Sequence, residues 1–385
     1  MTALAPAAAP PTGAEPRTAL LRRAAPALLG YAAVRLLGVA VLALWAGVTG
    51  KSPHKLLCLR WDSLWYTRVA EHGYGYTLHL PGGRVHSDQA FFPLLPWLER
   101  GVSAVTPLHP ADAGLAVGWL SSLAAAWGIF AVGDRLHGRR VGTALVALWA
   151  VQPTGIVQSM AYTESLFTAL AAWALYALLR RDWLWAGTLA ALAGLTRPVG
   201  VAVVAAVWLT AAALLHRDRR RPGARLLLGL AVAPLGWLGY VGWVGVRTGN
   251  PLGYLDVQGG WGNGFDGGLA FARFIGGQLT APPYVGGLGL LVAVGLLGRL
   301  YARCVRQRQP LPLLIYTAVV LALALTGAGY FGSKPRLLLP AFPLLLPLAL
   351  AVARLRPVRA ALLLTAVALA SAAYGACWLL GSGPP

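Results

Sequence analysis

The sequence predicts an all-α, polytopic membrane protein, and three observations predict it. Of 385 residues, 57% are hydrophobic and 11% charged, with a mean hydropathy of +0.63; a soluble core could not hide that much apolar surface. The apolar residues gather into runs of membrane-spanning length. The basic residues form short clusters between those runs, so the net charge of +20 reports topology and implies no nucleic-acid partner.

Residues 1–16, rich in Ala, Pro and Thr, have almost nothing to bury and are expected to form a disordered cytoplasmic tail; 17–385 forms one multispanning domain. The first span, 26–48, is longer than a signal-peptide core and lacks a small-x-small cleavage site, so it stays in the protein. Residues 49–111 form the long first extracytoplasmic loop. Further spans are expected at 113–134, 141–158, 162–179, 183–197, 198–215, 226–247, 283–299, 311–330, 337–354 and 360–380, about eleven in all. The pair 183–197 and 198–215 falls short of the roughly 20 residues a crossing needs and reads as a tilted or re-entrant hairpin. Residues 248–282 form a second large outer loop.

Charge supports this order. With the N-terminus inside, the cytoplasmic side receives 20 arginines, including every compact basic cluster, while 11 Lys and Arg spread over the longer outer loops and Arg35 lies within the first span. Lys and Arg near span ends set orientation in this sense. Eight of the 12 acidic residues fall outside: Asp62, Glu71, Asp88, Glu99, Asp112, Glu164, Asp256 and Asp266.

The residues with chemical potential therefore gather on the extracytoplasmic face. In Arg60-Trp61-Asp62-Ser63-Leu64-Trp65, the apolar Trp61, Leu64, Trp65 and Val69 recur at helical spacing, which predicts an interfacial helix. Asp62 then stands at the membrane boundary, either as a general base for a hydroxyl or as a helix cap. Phe91-Phe92-Pro93-Leu94 reads as a packing element. Glu164 enters the membrane by about one turn, where an acidic residue is a functional candidate by default; the competing reading is a structural ion pair with Arg197. Arg197 precedes Pro198 at the outer tip of the doubtful hairpin. Lys334 and Arg336 suit a lipid-linked phosphate, with ordinary headgroup attraction as the alternative.

Cys58, Cys304 and Cys377 lie far apart, show no ligand spacing and read as inert. No metal site is expected, although Asp62, Glu71, His72 and Glu164 offer oxygen and nitrogen ligands should the fold assemble them. No cofactor is firmly implied.

Together, Trp61-Asp62-Ser63 with Tyr66, His72-Gly73-Tyr74, Phe91-Phe92-Pro93-Leu94 with Pro96, Tyr162-Thr163-Glu164-Ser165-Leu166-Phe167, Thr196-Arg197-Pro198 with Gly200, and Arg336 through Pro340 to Pro343 resemble the family of the second GPI mannosyltransferase (phosphatidylinositol-glycan class V) and its bacterial relatives. The similarity runs over about 60–345, and the order of its blocks carries it. Two departures are Leu95, where the family often has tyrosine, and Pro198 after the Thr-Arg pair, where eukaryotic members differ. The resemblance implies a GT-C glycosyltransferase that moves a sugar, usually mannose, from a polyprenyl-phosphate carrier to an acceptor hydroxyl outside the cytoplasm, inverting the anomeric carbon. It implies Asp62 as the catalytic carboxylate.

The residues themselves suit that chemistry. Asp62 is the expected base, and Arg336, Lys334 and Arg197 the expected ligands of the departing phosphate. Glu71, His72, Tyr162, Glu164, Trp61 and Trp261 are the candidates for holding sugar or acceptor, and the acceptor is a lipid, glycolipid or glycoprotein. A transporter or flippase would place polar groups near the midplane and show repeated halves, neither of which the sequence has. A non-catalytic subunit of a glycan-assembly complex would dispense with the Asp62, Glu164 and Arg197 set.

Overall fold

The computed structural model describes residues 17–218 and 222–384; the tail expected at 1–16 lies outside them. The chain opens with α1 (Arg17–Val48), followed by the short α2 (Pro53–Cys58) and α3 (Asp62–His72). An antiparallel hairpin, β1 (Thr77–His79) and β2 (Val85–Ser87), pairs Leu78 with His86. Next come α4 (Leu94–Val105), α5 (Pro110–His137), α6 (Arg139–Ala150), α7 (Thr163–Leu179), α8 (Trp183–Gly194), α9 (Val201–Asp218), α10 (Ala224–Val232), α11 (Leu235–Thr248) and α12 (Gly253–Gly260). After β3 (Gly264–Phe265) and α13 (Leu269–Thr280), the chain finishes with α14 (Val285–Arg306), α15 (Leu311–Thr326), β4 (Gly327–Ala328), α16 (Lys334–Leu337), α17 (Leu346–Ala353) and α18 (Pro357–Leu380).

Among the described residues, six helices are long and apolar enough to cross a membrane: Leu20–Val48, Pro110–His137, Pro198–Arg217, Ala224–Thr248, Val285–Arg306 and Pro357–Leu380. A bent pair, Phe331–Leu337 with Phe342–Ala353, meets the same test across a 75° break. The other apolar segments are shorter helices, Thr163–Leu179, Trp183–Gly194 and Leu311–Thr326. Proline shapes three places: it ends the expected 141–158 segment early, breaks the expected 337–354 segment, and opens the expected 198–215 segment at its expected position. The segment expected at 141–158 is helical only to Ala150 and, past Pro153, continues as a buried 3₁₀ turn, Gly155–Ser159. Proline lacks the amide and clashes with the preceding turn. Pro198 opens a separate 20-residue helix, so the second half of the doubtful hairpin is long enough to cross, whereas α8 has 12 residues. Near Pro340 the freed carbonyls are satisfied from the side: Trp149 Nε1 donates to Leu339 O at 3.0 Å and Tyr316 Oη to Pro340 O at 3.0 Å. Apolar surroundings demand that repair.

Close helix contacts rest on small residues. At the α8/α10 crossing, a side chain on Gly187 would run into the Gly229 backbone, and one on Gly229 into the carbonyl of Trp183, so only glycine allows this approach. The central core holds Tyr31, Phe130, Trp149, Phe167, Tyr316 and Phe342, each under 2% exposed, with Tyr31 stacked on Trp149 at 5.3 Å. At one end of the bundle Arg23 Nη2 meets Asp134 Oδ1 at 2.8 Å. At the other end Lys51 Nζ donates to Leu380 O at 2.6 Å, and Arg60 donates to Leu379 O and Gly381 O at 2.9 and 2.8 Å. α1 and α18 thus finish at the same end.

Candidate active site

The end where α1 and α18 finish collects four ionisable side chains from four segments. Asp62 is the first residue of α3. Ahead of it, Ser63 Oγ donates to Arg60 O at 2.6 Å and accepts from Arg60 N at 3.1 Å. Trp61, caught in that turn, has φ of +54°, a conformation costing about 1–3 kcal/mol for a bulky residue. The Arg60 guanidinium lies 4.0 Å from the centroid of its ring. The strained step therefore sets where Asp62 begins its helix.

Arg336 comes from the four-residue α16, which follows one chain break and precedes the next. Its Nη1 donates to Asp62 Oδ2 at 2.8 Å, and its Nε stands 3.2 Å from Glu164 Oε1. Glu164, in the first turn of α7 where a helix dipole favours negative charge, also pairs with Arg197. Arg197 has an extended backbone, φ −159° and ψ 156°, because the residue before a proline is pushed out of the helical region. Side-chain exposure is 26% for Asp62, 12% for Arg197, 9% for Arg336 and 2% for Glu164. Two carboxylates and two guanidiniums thus balance in a site mostly closed to water, as buried charges must. Arg336 Nη2 and Asp62 Oδ1 make no hydrogen bond among the described residues.

Tyrosines line this quartet. The Asp62 amide donates to Tyr162 Oη at 3.3 Å, Arg336 lies 5.1 Å from the centroid of the Tyr162 ring, and Tyr66 Oη lies 3.2 Å from Thr163 Oγ1. One turn along α3, Trp65 stacks on Phe91 at 5.6 Å and meets Trp261 edge-on at 4.9 Å. Trp261 in turn stacks on His86 at 4.0 Å and donates to Ser87 O at 2.9 Å.

The other expected residues stand elsewhere. Lys334 Nζ donates to Ala324 O and Gly327 O at 2.6 and 2.8 Å and lies 4.6 Å from the Phe271 ring centroid, so it braces the break after α15. Glu71 pairs with His109 at 3.0 Å and His72 at 3.5 Å. The apolar face expected on α3 is corrected as well. Leu64 is 48% exposed, and the buried face runs through Ser63, Tyr66, Thr67, Val69 and Ala70, so of the four expected apolar positions Val69 is buried where α3 packs on protein.

Two features were not legible in the sequence. Glu99 on α4 is 0% exposed, and neither of its carboxylate oxygens has a partner. Burial first, then the charge of Glu71, pushes it well above the usual carboxylate range. Among the described residues, one group has metal-ligating atoms close together: His54, Cys58 and Asp112, all within 4.8 Å of one another.

Comparison with known proteins follows this geometry. Residues 88–237 match the family model described as dolichyl-phosphate-mannose-protein mannosyltransferase, a stretch that includes Glu99, Glu164 and Arg197. No curated protein matches the chain in sequence. Among solved structures, ArnT from Cupriavidus metallidurans bound to undecaprenyl phosphate superposes with a TM-score of 0.55 at 15% identity, covering 91% of this chain and 74% of that one. Its apo state superposes at 0.50 and 16% identity, covering 82% and 68%. At that identity the likeness establishes architecture: the chain is a multispanning helical protein with the GT-C fold.

Proposed function

We propose that this protein is an integral-membrane glycosyltransferase that moves a sugar from a polyprenyl-phosphate carrier to an acceptor hydroxyl. The observation that carries the reading is the 2.8 Å pairing of Asp62 with Arg336, beside a second carboxylate and a second arginine. A lipid-phosphate sugar donor brings its own leaving group, so the protein need supply positioning, a base and charge stabilisation. The acceptor oxygen attacks the anomeric carbon, the bond from that carbon to the phosphate oxygen breaks, and the configuration inverts. Asp62 takes the hydroxyl proton. Arg336, through its open Nη2, and Arg197 hold the departing polyprenyl phosphate, and Glu164 keeps both guanidiniums in place. Trp65 and Trp261 offer the sugar or acceptor an aromatic wall beside Asp62.

Support for the carrier comes from the shared fold, since the matching ArnT structure holds undecaprenyl phosphate. Mannose as the sugar is supported by the family-model match and by the sequence resemblance. The extracytoplasmic location follows from the sorting of arginines to the opposite side.

Membranes carrying the protein, supplied with polyprenyl-phosphate-linked mannose or another sugar and a native lipid extract, should transfer label to one acceptor class. Asp62→Asn should remain inserted at normal levels while turnover falls by roughly 10²- to 10⁴-fold, the usual worth of a general base. Near-normal transfer by that variant would remove Asp62 from the role. Transfer by the purified chain alone would exclude the non-catalytic subunit.

A further inference from the structure

Outside the quartet, α2 and the start of α5 bring together a donor set that the transfer chemistry does not use. His54 and Cys58 stand four residues apart on α2 and so share a face, while Asp112 arrives in the first turn of α5. Cys58 is 0% exposed, whereas the side chains of His54 and Asp112 are 52% and 38% exposed.

We propose that His54, Cys58 and Asp112 bind one Zn²⁺-class ion that clamps α2 to the start of α5, directly upstream of Asp62. Geometry is the first argument. Cys58 Sγ and Asp112 Oδ1 approach the same ring atom, His54 Nε2, at 3.4 and 2.5 Å. Without a metal, the Cys58 thiol donates to the His54 carbonyl at 3.2 Å and His54 Nε2 faces Asp112; a nucleophile–base relay would instead use the two ring nitrogens separately. The gathering of an imidazole nitrogen, a thiol sulfur and a carboxylate oxygen within 4.8 Å of one another suits a shared cation. At ordinary zinc bond lengths, tetrahedral ligands lie about 3.4 Å (N to O) and about 3.6 Å (N to S) apart. The sulfur is already in range, and Asp112 need retreat by only about 0.9 Å on an exposed side chain.

Donor chemistry is the second argument. A mixed imidazole, thiolate and carboxylate set suits zinc and its neighbours, not Ca²⁺ or Mg²⁺, which prefer oxygen alone. The two exposed ligands, His54 and Asp112, leave the fourth coordination position to water.

The clamp would matter because α2 supports both arms of the active site. Four residues after Cys58 comes Asp62, and the Leu57 carbonyl accepts from the Ala161 amide at 3.0 Å, one residue before Tyr162.

The test uses the full-length, untagged chain in lipid nanodiscs, stripped with a chelator and titrated with Zn²⁺ or Co²⁺. The expected result is one zinc per chain by elemental analysis. The Co²⁺ form should show a thiolate-to-cobalt charge-transfer band and tetrahedral d–d absorption, both erased by added Zn²⁺. Cys58→Ser should abolish the band, Asp112→Asn should weaken zinc by more than the roughly 10- to 100-fold that loss of an outer partner costs, and Cys377→Ser should change neither. Asp62→Asn should keep the full cobalt spectrum, so failure of this site and failure of the transferase reading are separable. A wild-type chain with no thiolate–cobalt band overturns the proposal without recourse to any variant, as does a band that survives Cys58→Ser.

Discussion

Glu164 and Glu99 are both removed from water, at 2% and 0% exposure, yet their surroundings are opposite. Glu164 meets two guanidiniums, Arg197 and Arg336. Among the described residues Glu99 meets none; its oxygens are unpartnered, and burial first, then the charge of another carboxylate, Glu71, acts on it. A buried charge is tolerated only when matched, and a buried unmatched acid is held neutral instead. Depth alone therefore does not single out a candidate carboxylate in this protein; the counter-charge does. Around Glu164 the matched charges still leave Arg336 Nη2 and Asp62 Oδ1 without a hydrogen bond among the described residues, and a substrate carrying both a phosphate and a hydroxyl can use such a donor and acceptor.

Removing the cation shared by both carboxylates tests that contrast most severely. Arg336→Ala leaves Asp62 with no ion-pair partner and Glu164 with Arg197 alone. Breaking a buried pair costs about 3–5 kcal/mol, and losing a preorganised donor costs about 10²- to 10³-fold in turnover. Both losses should appear together, as a lower melting temperature in nanodiscs and a collapse of sugar transfer. Arg336→Lys should recover stability better than turnover, because an ammonium restores the charge without the planar fork that reaches both carboxylates. Full transfer by Arg336→Ala would detach the quartet from the chemistry.

Glu164→Gln is the next step down. The amide keeps the shape but removes the charge that holds Arg197 and Arg336, so stability should fall by about 3 kcal/mol, the lower end for a broken buried pair, since Asp62 still engages Arg336. Binding should move the other way. With one carboxylate gone, the arginines have less competition for phosphate, so polyprenyl phosphate should inhibit the variant at lower concentration than it inhibits the wild type. Weaker inhibition would mean that Glu164 contacts the substrate directly instead of restraining the arginines.

Much of this arrangement is legible in the sequence. In lipid every backbone group must be satisfied within its helix, so long apolar runs such as 360–380 reveal themselves by composition. Ionisable residues at the ends of such runs are costly, which is why Asp62, Glu164, Arg197 and Arg336 stand out. The pair of Glu164 with Arg197 is one of the two readings the sequence offers, whereas the direct contact of Asp62 with Arg336, 274 positions apart, is not legible in it. Lys334 looked equivalent to Arg336 by spacing, but two backbone carbonyls freed near the end of α15 claim it. Glu99 was hidden for another reason. On α4, Trp97 and Leu98 are 56% and 36% exposed while Glu99 is fully buried, the reverse of a water-facing amphipathic helix, so its pattern reads as an ordinary surface acid. His54 and Cys58 are a four-residue spacing visible in the sequence, but two residues make no site, and the third, Asp112, belongs to another helix.

The smallest effect sharpens the comparison from the other side, through pH. Because burial and Glu71 raise the Glu99 carboxyl above its ordinary 4.5 in the folded protein, folding takes up a proton whenever the unfolded chain has released it. The stability this gives is fully present below pH 4.5 and is lost as pH rises through the raised folded value, at about 1.4 kcal/mol per pH unit. Glu99→Gln carries no such proton. Its absolute stability includes a buried amide without partners, which costs about 1–3 kcal/mol at every pH, so slope is the quantity to compare. Melting temperature in nanodiscs, followed upward from pH 4.5, should fall more steeply for the wild type than for Glu99→Gln, with the two curves drawing together as pH rises if the wild type starts higher. Parallel curves would mean that Glu99 is ionised in the folded protein and matched by a cation, which would make its surroundings equivalent to those of Glu164.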